Sequence, residues 1–169
     1  RLRVRHLILP VLSGAENQAL QAEILALAEE NDTEVTFLRE EREICMGDVR
    51  FQIFPPMGGG NNNEEGLSLL CSSGDFDMLI TGDMDSETEE KLLGYTALGD
   101  VEVLVVGHHG SKYSTGTALL QALQPETAVI PVGANSYGHP ASETLARLEE
   151  AGAQVWRTDL RGTVSIRVY

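Results

Sequence analysis

A chain of 169 residues with an apolar fraction of 42% is long enough to bury one substantial core, and it is not a disordered polypeptide. Its 26 acidic residues against 12 Lys and Arg give a formal charge of −14. That balance argues against a broad phosphate-binding face, so any contact with nucleic acid must be local or carried by metal ions. No run approaches the roughly 18 apolar residues of a membrane-spanning helix. The chain begins Arg1-Leu2-Arg3 without a Met and reads as a piece of a longer polypeptide. Cys45 and Cys71 are too few for a disulfide framework and are expected as two buried free thiols, with a bridge between them as the alternative.

In chain order, Arg3 to Leu9 reads as a strand closed by Pro10. Glu16 to Glu30 reads as a helix with Leu20, Ile24, Leu27 and Ala28 on its apolar face, ended by Asn31-Asp32. Val35 and Phe37 mark a short strand, and Val49, Phe51 and Ile53 alternate as a half-buried one that stops at Pro55-Pro56. Gly58 to Gly66 is expected to be a mobile loop. It is not a phosphate cradle, because no strand leads into it, no helix follows, and the Lys-Ser/Thr pair of a P-loop is absent. Leu67–Cys71 and Met78–Ile80 form a hairpin around Ser72 to Asp75. Ser86 and Glu89 predict a capping box for a helix to about Leu93. Val101–Val106 is a buried strand, Thr115–Leu123 a helix and Ala128–Val132 a strand. Pro140 stands in the first turn of a helix that reaches about Ala151 and ends at Gly152. Val155–Arg157 and Thr163–Val168 are predicted as closing strands around Asp159 to Gly162. The class is α/β with mixed strands, in one domain over residues 1–169.

Two runs carry the chemistry. Thr81-Gly82-Asp83 follows the strand at Met78–Ile80, and Gly107-His108-His109-Gly110-Ser111 follows the strand at Val101–Val106. A carboxylate and an imidazole just past adjacent strand ends are placed to share a metal ion. Taken alone, Asp83 suits a turn or cap equally well, and Asp85 is the acid that favours the helix dipole. Two consecutive His between glycines serve no packing purpose, which points to function. Ser111, Lys112, Tyr113 and Ser114 extend the loop with donors for an anionic oxygen, while Ser114 or Thr115 would also serve as an N-cap. Asn135 to Pro140 repeats the layout of strand, polar loop and helix. Loops at the same strand ends of an α/β sheet converge on one crevice. His139 therefore either approaches His108 and Asp83 or caps the helix that Pro140 starts. His6 is read as structural and Trp156 as core or rim. No His-x-His-x-Asp-His or His-Glu-x-x-His cluster occurs, and two ligands do not hold zinc tightly.

Leu79 to Asp83, Val105 to Lys112, Tyr137 to Pro140 and Arg157-Thr158-Asp159 occur in the order and spacing of a known pattern. Together they resemble the metallo-β-lactamase-like domain at the C-terminal end of the ComEC family, the DNA-internalisation channels of bacterial competence. The likeness is strongest over residues 61–169 and loose before that. It implies the C-terminal portion of an αββα sandwich, with Asp83 as the carboxylate bridging two metal ions and His108 as a late His ligand. His109, Ser111, Lys112 and His139 would line the substrate side. The implied cofactor is zinc or manganese in the intact domain, held only weakly by this chain. The family's principal His-rich motif is expected upstream of Arg1, and residues 61–68 offer no further His ligand. The resemblance also implies a parent protein in the bacterial cell membrane with this domain on its outer side. Its partners would be DNA and the rest of the same polypeptide, and its activity a phosphodiesterase or nuclease acting on the DNA strand that is not imported. This chain alone is then expected to be inactive. The alternative is a non-catalytic DNA-binding or channel-docking domain with a degenerate metal site.

Overall fold

Glycines at two tight turns shape the antiparallel half of the main sheet. A computed structural model describes residues 3–13, 15–59 and 63–168. Strands β3 (Arg42–Met46) and β4 (Val49–Phe54) meet at Gly47, and β5 (Ser68–Ser73) and β6 (Phe76–Ile80) meet at Gly74. Both glycines have φ near +60°, which L side chains with a Cβ rarely adopt. β7 (Val103–Val105), β8 (Thr127–Ile130) and β9 (Gln154–Arg157) then add in parallel, giving a seven-stranded sheet in the order β3 to β9. Parallel neighbours need crossovers. These are supplied by α2 (Ser86–Tyr95), α3 (Thr117–Leu123) and α4 (Ser142–Glu150).

Upstream, β1 (His6–Pro10) and β2 (Glu34–Leu38) pair with each other in parallel around α1 (Ala15–Glu30) and do not join the larger sheet. The backbone N–H and hydroxyl of Ser13 donate to the buried Glu65 carboxylate, which ties this unit to the segment before β5.

The core lies under α3 and α4. Leu79, Leu104 and Ala128 share one register row across β6, β7 and β8. They pack with Leu119, Leu120, Leu123 and Leu148 from the helices, all essentially inaccessible. Each such Leu contributes about 1.5–3 kcal/mol of burial, so this cluster fixes the strand ends that carry the polar loops. A smaller cluster of Phe54, Met84 and Leu92 seats α2.

Several expectations are corrected. β3 was not anticipated, because only Ile44 of Arg42–Met46 faces inward, even partly. Thr163–Val168 forms no strand. The short helix α5 (Thr158–Arg161) replaces the tight turn, and the chain leaves it without ladder partners. On α1, Leu20 and Leu27 are each 53% exposed and Ala28 alone of the expected apolar face is buried. Cys45 is exposed on the outer strand β3, Cys71 is buried, and both are free. The expected loop at Gly58–Gly66 includes residues 60–62, which lie outside the described residues.

Candidate active site

The C-terminal ends of β6, β7 and β8 point to one edge of the sheet, and a polar loop leaves each of them. Two glycines let these loops meet. A Cβ on Gly107 would stand 2.9 Å from Thr81 Oγ1, and one on Gly110, where φ is +82°, would stand 2.6 Å from Pro140 Cβ. Backbone bonds close the same contacts. The His108 N–H donates to Gly82 O at 3.0 Å, and the Ala141 N–H donates to Gly110 O at 2.8 Å. The residue before Asp83 is thus bonded to His108, and the loop after His109 is bonded beyond His139.

His108 and His109 stand at a kink within the tight turn of Gly107–Gly110, both with left-handed backbone, at φ 48° and 55°. Such a conformation costs about 1–2 kcal/mol for a non-glycine residue. It persists here because the turn is held from both sides, and strain of this kind gathers at functional sites. The His108 ring lies 5.6 Å from the His139 ring and 6.4 Å from the His109 ring, centroid to centroid. His109 is exposed, and its Nδ1–H donates to Pro131 O at 2.7 Å. Asp83 is half-buried. The Nδ1 of His139 is buried and has no hydrogen-bond partner. Burial lowers the His139 pKa below the ordinary imidazole value; the neighbouring His108 and His109 add to this, and Asp83 acts in the opposite direction.

The remaining predicted residues divide. Ser111 is buried, and its hydroxyl accepts from the Tyr113 N–H at 3.3 Å. Lys112 is exposed, with Nζ 4.8 Å from the Tyr113 ring centroid. His139 does not cap α4, whose N-cap is Ala141 with no side-chain bond. His6 forms an exposed pair with Glu34, and Trp156 is half-buried with the Arg161 guanidinium 5.1 Å from its ring centroid.

What sequence reasoning missed is the clamp around the His loop. Asp85, not Ser86, caps α2, accepting from the Thr88 N–H at 2.9 Å. This bond lowers the Asp85 pKa below the usual carboxylate value. Ser86 instead donates both its N–H and its hydroxyl to Tyr113 O. Glu89, expected at the capping box, turns inward to 1% exposure. Its oxygens accept from the N–H groups of Thr115 at 2.6 Å and Gly116 at 2.8 Å. The start of α3 is therefore capped by a carboxylate from α2, and neither Ser114 nor Thr115 caps it. From the other side, Arg147 of α4 donates to the carbonyls of Lys112, Ser114 and Thr115, and Thr144 Oγ1 donates to Ser111 O at 2.7 Å. A partial signal existed for Glu89 alone, which stands one turn before Leu92 and Leu93 on its helix; nothing in the sequence singles out Arg147.

Asp83 and the imidazole of His108 are suitable donors for a divalent ion, and the orphaned His139 nitrogen fits a ligand in the same crevice. No group of three His, Cys, Asp or Glu that could hold a metal occurs among the described residues. The arrangement can contribute part of a metal centre and needs further donors for a tight one.

No protein-family model matches the chain. Its fold is similar to that of CmlA, a diiron β-hydroxylase from Streptomyces venezuelae, with a TM-score of 0.56 and 12% identity over 90% of this chain and 38% of CmlA. Sheet, crossovers and crevice together define a metallo-β-lactamase-like fold. In sequence the chain is 31% identical to ComE operon protein 3 of Bacillus subtilis, over 98% of its own length and 21% of that protein's. It is 38% identical to competence protein ComA of Neisseria gonorrhoeae over 69% of its length and 17% of that protein's. With Recombination protein 2 of Haemophilus influenzae the identity is 31% over 79% of this chain and 17% of that protein. The chain belongs to the ComEC family of competence proteins and spans about a fifth of the length of these relatives. Among the described residues no helix is long and apolar enough to cross a membrane.

Proposed function

We propose that this chain is part of a metal-dependent phosphodiesterase domain of a DNA-uptake membrane protein, acting as a nuclease on the strand that is not imported. In this reading the domain lies on the outer side of the membrane. The observation that carries the reading is the convergence of Asp83, His108 and His139 from three parallel strand ends, with a buried imidazole nitrogen left unpaired. Asp83 and His108 would hold zinc or manganese together with donors from the rest of the polypeptide. Bound there, the metal supplies positive charge for a phosphoryl oxygen and lowers the pKa of a water. His139, with its buried and unpartnered Nδ1, would form a hydrogen bond at the phosphate, and His109 and Lys112 would face the substrate. Ser111 supports this site from within.

The test is a nuclease assay on the longer polypeptide that includes the upstream donors, with and without added divalent metal. Asp83→Ala and His108→Ala are expected to abolish cleavage, and His139→Ala to weaken turnover less. The second reading is a DNA-binding or channel-docking module with a degenerate centre. DNA binding that needs no metal, survives all three substitutions and comes with no cleavage would select it.

A further inference from the structure

Beside the His crevice lies a groove of about 330 Å³ lined by Lys112, Tyr113, Tyr137, His139 and Glu143 among others. Its two tyrosines are far more exposed than packing requires, Tyr137 at 82% and Tyr113 at 67%. Single exposed aromatics are ordinary, but these two sit on the loops that carry His139 and His108. Tyr137 is also held in place. Asn135 Oδ1 accepts from the N–H groups of Tyr137 and His139, while Asn135 Nδ2 donates to the carbonyls of Gly133 and His139. The Tyr137 ring lies nearly parallel to the His139 ring, at 21° with centroids 6.0 Å apart. Most of the ring is open to solvent beside the crevice. Across the groove, Tyr113 carries the Lys112 ammonium near its ring.

We infer that Tyr137 and Tyr113 are stacking platforms for the unpaired bases of a single-stranded nucleic acid, which makes them specificity-determining residues of the site. The inference rests on the nucleic-acid reading above. Charge supports it. Lys112 is the one Lys or Arg lining the groove, Arg147 is occupied by three carbonyls, and the chain carries −14 overall. Phosphate contacts alone cannot supply affinity here, whereas stacking on a neutral ring needs no positive field and is open only to bases freed from a duplex.

The test is fluorescence anisotropy of this chain in EDTA with a labelled oligothymidylate of roughly 12 nucleotides and an abasic oligomer of equal length. Tyr137→Ala is expected to weaken oligothymidylate binding about 5- to 150-fold, the value of one stacked base. Tyr137→Phe should restore it to within about twofold, since the ring is what stacks. Tyr113→Ala should show a loss of the same kind. Abasic binding should be weak and indifferent to all three substitutions. The slope of log K against log salt should stay near about −0.7, one neutralised phosphate on a single strand. Equal binding of the two oligomers, or tyrosine variants within about twofold of wild type, overturns the stacking role and leaves the nucleic-acid reading standing. Failure of both oligomers to bind at millimolar concentration likewise overturns the stacking role, while the metal-dependent reading stands or falls by the cleavage assay on the longer polypeptide.

Discussion

Replacing Glu89 by Ala tests whether the His loop is held by a carboxylate from a neighbouring helix. The substitution leaves the N–H groups of Thr115 and Gly116 without their acceptors, and Thr115 is fully buried. Each unsatisfied buried donor costs about 1–3 kcal/mol. Losing a buried carboxylate recovers part of this, because burial already raises the Glu89 pKa above the usual value, against the two N–H bonds and Arg147. The net loss expected is about 2–4 kcal/mol, which lowers the urea midpoint by about 1–2 M for an m-value near 2 kcal/mol/M. Glu89→Gln keeps the shape but sets an amide donor against a backbone donor, so it should lose about 1–3 kcal/mol. Glu87→Ala, on the exposed face in a pair with Lys91, should stay within about 0.5 kcal/mol. The pH trend has a definite sign. With a raised folded-state pKa, the stabilisation from Glu89 is complete below the ordinary carboxyl value and declines as pH climbs through the raised one. The gap between wild type and Glu89→Ala should therefore narrow as pH rises across that window. Equilibrium urea unfolding read by circular dichroism measures all of this. A midpoint for Glu89→Ala within about 0.3 M of wild type would refute the clamp.

Titration calorimetry of this chain with zinc or manganese should give only weak binding, and a stoichiometric sub-micromolar site would show that His109 or His139 completes a centre within it. Native thiol labelling should modify the exposed Cys45 and spare Cys71, whose thiol is buried and raised in pKa, until the protein unfolds. Leu104→Ala, at the centre of the main cluster, should cost about 2–5 kcal/mol in the same urea titration. His108→Gly relieves a left-handed backbone and should raise stability by up to about 1 kcal/mol while removing a proposed metal donor; a loss of stability would mean that the ring's packing outweighs the strain.

The α/β class, the β5–β6 hairpin and the alternation of strands and helices from β6 to α4 were legible because apolar period and turn residues agree there. Capping chemistry was not. Ser86 and Glu89 have the spacing of a capping box, yet Asp85 takes the cap and frees Glu89 for a partner 26 residues away. No local pattern encodes a bond of that range. Thr163–Val168 alternates like a strand, but alternation does not supply a neighbouring strand. The candidate loops were legible as three polar runs at strand ends, with the His pair between glycines the strongest signal, whereas the sequence left His139 open between the crevice and a helix cap. The clamp by Arg147 and the solvent-facing Tyr137 follow from tertiary placement, and neither was assigned a role from sequence.

The change from antiparallel to parallel pairing at β6 bears on the order of assembly. Strands β3 to β6 pair with sequence neighbours, whereas β7 to β9 must each wait for a helix to cross the sheet. Short-range pairings close faster than long-range ones. The meander should therefore be the early scaffold, and the edge bearing Asp83, His108 and His139 should be finished late. Pulse-labelled hydrogen exchange during refolding would then find amides of β4 and β5 protected before those of β8, and the reverse order would exclude this route. A polypeptide assembled in this sequence acquires its chemistry only after its framework is secure, so a half-folded chain would carry no working crevice.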